Sequence, residues 1–254
     1  MPNPTLIVEG LTKSFGGVVA TNHLDFHIDS GEIHAIIGPN GAGKTTLVAL
    51  LSGMLNPDAG RIEFLGQDIS RESAASRSHL GLARSFQITS IFKNFDALSN
   101  VALSIQAHQG HSFRFWKNAS TDSELIQPAK DILEGVGLGD RTNIVAGNLA
   151  HGEQRQLEIA MALATRPKLL LLDEPTAGMG AEDSDRMRDY LATLKGDISM
   201  LLIEHDMDTV FSLADRVTVL VYGTAIGTGS PEEIRKNADV KAAYLGEDDE
   251  NENA

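Results

Sequence analysis

The pattern of hydrophobic and polar positions changes twice along the chain, and each change predicts a different kind of structure. In the first part, apolar residues alternate with polar ones over residues 6–11, 24–28 and 61–65, which predicts short β-strands with turns between them. Residues 34–37 are nearly all apolar, as in a parallel strand that is covered on both faces. A helix is predicted directly after this strand, because apolar residues recur there at helical spacing, at Leu47, Leu50, Leu51 and Met54.

Helix-like periodicity replaces this alternation between residues 86 and 164. The predicted helices there cover residues 101–106, 125–133 and 153–165, and the last places one apolar face at Leu157, Ala160, Met161 and Ala164. Strands and helices then alternate again: a strand at 168–173, a helix around 187–194, strands at Ser199–Ile203 and Arg216–Val221, and two small C-terminal helices. The fold class predicted is α/β, with one core interrupted by a helical insert.

Composition narrows the function classes. The chain has 254 residues and 42% hydrophobic residues, enough for a full core, and its 35 acidic and 21 basic residues give a net charge of −14. We therefore expect no nucleic-acid partner, which would need a basic face. The absence of cysteine excludes disulfides and thiolate chemistry. No signal peptide or membrane-spanning run is recognisable, so we expect a soluble, cytoplasmic protein.

A phosphate-binding loop follows the apolar strand. Gly38-Pro39-Asn40-Gly41-Ala42-Gly43-Lys44-Thr45 matches the pattern GxxxxGK[ST], with the required strand before it and helix after it. Glycines let the backbone wrap phosphates, Lys44 reaches the β- and γ-phosphates, and the Thr45 hydroxyl serves Mg²⁺. The alternative is a purely structural glycine-rich turn.

A carboxylate pair ends a later apolar strand. Asp173 and Glu174 follow four leucines, where the chain turns and both side chains can address one site. We expect Asp173 to hold Mg²⁺ through a water and Glu174 to act as general base on the attacking water. Without the phosphate-binding loop, simple solvation of the pair would explain it equally well.

Together these motifs, with others in the same order, make the chain resemble the ABC transporter ATPases from residue 6 to about residue 246. Gln87 resembles the glutamine that senses Mg²⁺, lytic water and the membrane partner. Residues 149–153 (LAHGE) resemble the signature motif that opens a helix, His205 resembles the switch histidine at the γ-phosphate, and Phe15 stands where an aromatic residue stacks on adenine. Taken alone, His205 would be interpreted as a loop histidine and Phe15 as core, and Gln87 would say nothing.

The resemblance implies a P-loop NTPase core with an antiparallel β subdomain and an inserted helical subdomain. Residues 1–86 and 165–246 would form the core, 87–164 the helical insert and 247–254 a solvated or regulatory acidic tail. It implies ATP hydrolysis with ATP and Mg²⁺. The implied catalytic residues are Lys44, Gln87, Glu174 and His205, and the metal-binding residues are Thr45, Gln87 and Asp173. The implied nucleotide-binding residues are Phe15, the loop residues 38–45 named above, Thr46, Ala150, His151, Gly152 and Glu153.

Two positions depart from the family pattern. Ala150 stands where the signature LSGGQ has serine, so one hydrogen-bond donor to the nucleotide of the opposite subunit is missing, a loss of roughly 1.5 to 3 kcal/mol. The loop after Glu174 lacks the aspartate common there and has Gly180 at its end. These departures suggest the hypothesis of a non-identical ATPase partner in a head-to-tail dimer.

Within the family, residues 149–163, 174–179, 201–217 and 230–247 resemble the ATPases of branched-chain (hydrophobic) amino-acid importers. That resemblance implies two integral-membrane permease subunits, a second ATPase, an extracytoplasmic solute-binding protein and a peripheral location on the cytoplasmic face of the inner membrane. Urea, amide and aromatic-acid importers use similar ATPases. Three rival hypotheses are the ATPase of a lipid or lipopolysaccharide transporter, a soluble ATPase of iron–sulfur assembly, and a DNA-repair or chromosome ATPase.

A surface for the permease is expected just after Gln87, where apolar side chains stand close together at Ile88, Ile91, Phe92 and Phe95. The alternative is that these residues form the ordinary core of the insert. Residues 108–118 are basic and aromatic, and we expect a loop between helices there, with contact to lipid headgroups as the alternative.

Overall fold

A computed structural model describes residues 4–85, 91–108 and 123–242. The chain divides into two compact units: the first unit comprises residues 1–80 and 195–254, and the second unit comprises residues 81–194. The second unit therefore extends beyond the helical insert expected at 87–164 and takes in the strand and helix on either side of the carboxylate pair. Among the described residues, no helix is long and apolar enough to cross a membrane.

Two groups of strands build the first unit. An antiparallel sheet has the order β2-β1-β4-β5, from β1 (Pro4–Phe15), β2 (Val18–Asp29), β4 (Ala59–Phe64) and β5 (Gln67–Asp68). The second group has the order β10-β9-β3-β8, from β3 (Ile33–Ile37), β8 (Ser199–Ile203), β9 (Arg216–Val221) and β10 (Thr224–Gly229). Strand β3 runs parallel to both β8 and β9, with Ile36 opposite Ile203 and Thr218. The apolar run at 34–37 is thus a central parallel strand, and every residue of β3 is buried.

The helices of the first unit are α1 (Lys44–Leu51), α2 (Ala74–Leu80), α7 (Met207–Leu213), α8 (Pro231–Lys236) and α9 (Ala238–Val240). The last two are the small C-terminal helices expected from the sequence. Helix α1 ends at Leu51, so the extension of the apolar stripe to Met54 was wrong, and Met54 is 58% exposed. The guanidinium of buried Arg77 donates hydrogen bonds to the carbonyls of Leu50 and Leu51 at 2.6 and 2.7 Å. These carbonyls, which have no partner within the helix, are thereby satisfied.

The second unit contains β6 (Leu82–Arg84), α3 (Ala97–His108), α4 (Ser123–Gly135), α5 (His151–Ala164), β7 (Leu169–Asp173) and α6 (Ala181–Thr193). Strand β6 pairs with β7 in parallel, with Leu82 opposite Leu169. Helix α3 packs against α4 and α5. Helix α5 is buried on nearly all sides, since residues 155–160 and 162–164 are all buried, while Met161 is half-buried. Leu157, Ala160 and Ala164 of the expected apolar face are buried, and burial extends beyond that face to polar residues.

Candidate functional site

The glycine-rich loop lies between β3 and α1 in the first unit, as the sequence predicts. Gly43 is the N-cap of α1, and its φ of 103° lies in the left-handed region that favours glycine. The Nζ of Lys44 donates hydrogen bonds to the carbonyl of Gly38 and, at 3.0 Å, to that of Pro39, so the lysine lies back across the loop. Thr45, in the first turn of α1, is exposed. An anion at this helix start would meet backbone N–H groups and one cation.

Besides the Lys44 side chain, neighbouring backbone groups support the loop. Gly223, in the turn between β9 and β10, donates its N–H to the carbonyl of Ala42 at 2.9 Å. The same turn is tied to β2, because the carbonyl of Gly223 accepts the N–H of Asn22 at 2.9 Å. A Cβ on Gly43 would overlap the carbonyl oxygen of Ala20 in β2. The loop conformation is thus fixed by contacts that require glycine.

Phe15 lies at the end of β1, also in the first unit, and is 48% exposed. Its ring has the Nζ of Lys13 at 5.6 Å from the centroid, and its strand partner Val18 is 68% exposed. The interpretation of Phe15 as core is therefore wrong. An exposed aromatic ring at this place can stack on a flat ligand.

The carboxylate pair ends β7 in the second unit. Asp173 is 1% exposed, and its carboxylate contacts the guanidinium of Arg84 at 3.6 Å. Burial lowers the pKa of Arg84, and the charge of Asp173 acts in the opposite direction. Glu174 has a φ of 50°, which is uncommon for a residue with a side chain. Arg155 of α5 donates to the carbonyls of both acidic residues, at 3.3 Å to that of Glu174.

The signature-like residues open α5. Ala150 is the N-cap and, having no hydroxyl, offers no side-chain bond to the helix. Glu153 turns back to accept the N–H of Ala150 at 2.8 Å, and its other oxygen accepts from Arg141 at 2.9 Å. Glu153, expected to bind nucleotide, is therefore also a structural cap of this helix.

The loop after the carboxylate pair lies against the start of α5. A Cβ on Gly152 would come within 3.1 Å of the carbonyl oxygen of Gly178, and one on Gly178 within 3.1 Å of the Nδ1 of His151. Because both positions are glycine, the backbones can approach closely.

His205 follows β8 in the first unit, and its side chain is 67% exposed. Its backbone N–H donates to the carboxylate of Glu204 at 3.2 Å, and Asp206 caps α7 by accepting from Asp208 at 3.0 Å. These two hydrogen bonds hold the backbone on both sides of His205, whose imidazole lies exposed at the end of β8.

The predicted residues fall into two groups. Phe15, residues 38–46 and His205 belong to the first unit, whereas Asp173, Glu174 and residues 150–153 belong to the second. Gln87 and Ile88 lie outside the described residues, as do most of the 108–118 stretch and the acidic tail. Over residues 4–85, 91–108 and 123–242, no group of three or more His, Asp or Glu side chains forms a metal cluster. The carboxylate and hydroxyl oxygens of Asp173 and Thr45 are nevertheless the ligand types that Mg²⁺ prefers.

The sequence did not reveal that Arg84 and Arg155 support the carboxylate pair. It also did not reveal the hydrogen bond from Gly223 to the phosphate-binding loop. One signal was available: Arg155 and Glu158 stand three apart, just before the apolar residues 159–164, at the spacing at which charged side chains pair on a helix.

A glycine-rich loop between a buried parallel strand and a helix, with a carboxylate pair at the end of another buried strand, defines a P-loop nucleotide hydrolase. The family model described as ABC transporter matches residues 21–177, and the chain belongs to this family of ATP-binding, ATP-hydrolysing proteins. A second model, described as branched-chain amino acid ATP-binding cassette transporter, matches residues 226–250.

Individual relatives extend over almost the whole chain. The branched-chain amino acid transport ATP-binding protein BraF of Pseudomonas aeruginosa is 38% identical, covering 97% of this chain and 100% of its own. LivG of Escherichia coli has the same identity and coverage. Among solved structures, an ATP-binding cassette of an ABC transporter in its ADP conformation gives a TM-score of 0.82 at 30% identity, covering 96% of this chain and 99% of its own.

Proposed function

We propose that this chain is the ATP-hydrolysing subunit of an importer of branched-chain or other hydrophobic amino acids, or of a related small solute. The observation that carries the solute class is the match of both the body and the C-terminal segment, residues 226–250, to branched-chain amino-acid transport proteins. The ATPase itself does not contact the solute, so the segment marks the kind of transporter rather than a binding pocket.

The first unit binds the nucleotide. The backbone N–H groups of residues 38–46 other than Pro39, which has none, and the start of α1 hold the phosphates, since they present positive partial charge at the helix N-terminus. Lys44 exchanges its bonds to the loop carbonyls for the β- and γ-phosphates. Phe15 stacks on adenine, consistent with its exposed ring at the end of β1. His205 contacts the γ-phosphate from the end of β8.

The second unit supplies hydrolysis. Thr45, Gln87 and, through a water, Asp173 would hold Mg²⁺, which would supply charge neutralisation of the phosphates. Glu174 takes the proton of the attacking water as general base. Ala150, His151, Gly152 and Glu153 at the start of α5 cap the nucleotide of a second ATPase subunit. Because Ala150 brings no hydroxyl, we propose that this second subunit is a different chain in a head-to-tail heterodimer.

The membrane partner contacts the apolar surface of the second unit. Phe92 and Phe95 are 52% and 47% exposed with ring centroids 5.8 Å apart, and Val145 beside them is 41% exposed. Buried Asn100 holds this loop by accepting the N–H of Phe92 at 2.7 Å. Ile91, also expected at this surface, is buried and belongs to the core. We propose that integral-membrane permease subunits bind here, that the chain is peripheral on the inner face of the membrane, and that a solute-binding protein acts through the permease.

Two variants test the division between binding and hydrolysis. Lys44→Ala removes the cation at the phosphates and should weaken the binding of a fluorescent ATP analogue by about 10- to 150-fold, equivalent to roughly 1.5–3 kcal/mol. Glu174→Gln keeps the shape but not the base, so it should bind the analogue normally and lose about 10²- to 10⁴-fold in hydrolysis rate. Identical behaviour of the two variants in the binding assay would contradict these roles.

The transport assignment has its own test. The tagged chain is purified from native membranes and the accompanying chains are identified by mass spectrometry. Two permease chains and a second, different ATPase are expected. A soluble scaffold without any membrane subunit would leave the ATP chemistry standing and refute the transporter.

A further inference from the structure

A charged pair is buried inside helix α5 of the second unit. Arg155 and Glu158 of α5 are 6% and 5% exposed, and the Nη1 of the arginine donates to the glutamate Oε2 at 3.1 Å. A buried ion pair is on average no more stabilising than well-packed apolar residues of similar volume. Stability of the helix therefore does not explain why charged residues stand at these two positions.

The other end of the same guanidinium reaches the carboxylate pair. The Nη2 of Arg155 donates to the carbonyl oxygen of Asp173 and, at 3.3 Å, to that of Glu174. These two carbonyls lie on either side of the Glu174 Cα, so fixing both fixes the φ and ψ of that residue. Glu174 needs such support, because its φ of 50° lies in a region that costs a residue with a Cβ of the order of 1–3 kcal/mol.

The backbone angles of Glu174 decide where its side chain points. We propose that Arg155 is a positioning residue for ATP hydrolysis: it holds Glu174 in the left-handed conformation from which its carboxylate reaches the attacking water. This inference rests on the role of general base proposed above for Glu174. It also makes α5 a single piece that carries residues 150–153 at its start and, directly after them, the arginine that fixes the base.

Arginine is the residue type best suited to hold the backbone on both sides of Glu174. Its planar guanidinium presents N–H groups in a fixed fork, so one side chain can bind two carbonyls and a carboxylate at once. Lysine has the charge but a single flexible donor head. The side chain of Asp173 is supported separately, by Arg84 at 3.6 Å, so loss of Arg155 changes the backbone at Glu174 and leaves that contact in place.

The test uses the full chain purified together with its second ATPase and permease subunits, and the same complex carrying a double variant of this chain. Arg155→Met with Glu158→Met removes both charges, so neither is left buried alone and the helix can stay folded. We expect the hydrolysis rate constant to fall by about tenfold to a hundredfold, as a misplacement of about 1 Å costs in other enzymes. The dissociation constant of a fluorescent ATP analogue should stay within about twofold. Arg188→Met, which removes a partly exposed arginine paired with Asp185 of α6, is the matched control and should change neither value.

A merely structural role would give a different result, namely a lower melting temperature with an unchanged rate constant per folded molecule. That outcome, or a wild-type rate in the folded double variant, would overturn the inference. If the double variant does not fold, the same rate and binding measurements are made on Arg155→Lys. This variant keeps the positive charge but loses the forked N–H groups of the guanidinium. Glu174→Gln is measured in parallel: if it hydrolyses normally, the role of Glu174 is wrong, whereas an inactive Glu174→Gln beside a fully active Arg155 variant refutes only the positioning role.

Discussion

The two compact units hold their functional residues by different physical means. In the first unit the phosphate-binding loop is fixed by backbone hydrogen bonds, as from Gly223 to Ala42, and by close approach of glycines to neighbouring strands. In the second unit the carboxylate pair is fixed by two arginines, Arg84 on the side chain and Arg155 on the backbone. The first site is sensitive to an added Cβ where its backbone touches a neighbouring strand, as at Gly43, whereas the second depends on a few charged side chains.

One buried ionisable residue from each unit shows a second difference, in whether the residue is neutral or paired. His34 of β3 is completely buried, and burial, followed by the charge of Arg216, lowers its pKa from 6.5 to about 3, so it is neutral in the folded protein. Arg155 of the second unit is instead paired with a buried carboxylate. The stability contributed by neutral His34 is therefore sensitive to acid, and that of the Arg155–Glu158 pair is sensitive to loss of either partner.

The largest effect is expected from an added Cβ in the glycine-rich loop. Gly43→Ala would bring a methyl group onto the carbonyl oxygen of Ala20 at a φ of 103°, so the loop must shift and binding of a fluorescent ATP analogue should be lost. Gly41→Ala is the matched control, because its φ is 80° but nothing lies within 4 Å of the added atom. If the two variants bind equally well, the backbone contacts do not fix the loop.

A smaller effect is expected from acid. Since the folded pKa of His34 is depressed, the unfolded chain takes up the proton first, and stability is lost as pH falls from 6.5 towards 3. Urea unfolding should show a loss of about 2 kcal/mol from this residue between pH 6.5 and 5.0, at about 1.4 kcal/mol per pH unit. His34→Gln should remove that part of the acid loss.

A second histidine variant in the same unit serves as the control for His34→Gln. His79→Gln, at an exposed histidine near the end of α2, should leave the acid loss as it is in the unchanged chain. Equal pH dependence of the unchanged chain and the His34→Gln variant would show that His34 is not kept neutral by the fold. The residues that bond or face His34 are Glu32, Arg216, the carbonyl of His27, and Thr218 at 2.8 Å.

The smallest effect is expected at the start of α5. Ala150 has the extended backbone of an N-cap but no oxygen to accept a helix N–H, so Ala150→Ser should raise the free energy of unfolding by about 0.5–2 kcal/mol. Chemical denaturation of both proteins measures this gain. Ala162→Ser, inside the same helix, is the control and should not stabilise. An unchanged or lower stability of Ala150→Ser would mean that Glu153 alone already completes the cap.

Most of the fold could be predicted because its signals are local. The alternation of apolar and polar residues predicted β1, β2 and β4, although β1 and β2 are 12 residues long rather than short. The motif at 38–45 predicted its own strand, turn and helix, because glycine and lysine act there through neighbouring backbone. The apolar periodicity wrongly extended α1 to Met54. It cannot show that Arg77, which lies 26 residues after Leu51, donates to the last carbonyls and helps to end the helix.

The sequence by itself determined the family, the phosphate-binding loop and the identity of the carboxylate pair, because each depends on residues that are adjacent in the chain. Only the tertiary structure decided what supports them. Arg155 reaches Asp173 across 18 residues, and Gly223 reaches Ala42 from the turn between β9 and β10. Such contacts leave no fixed spacing in the sequence, since they depend on which buried backbone groups still need a hydrogen-bond partner after the elements have packed.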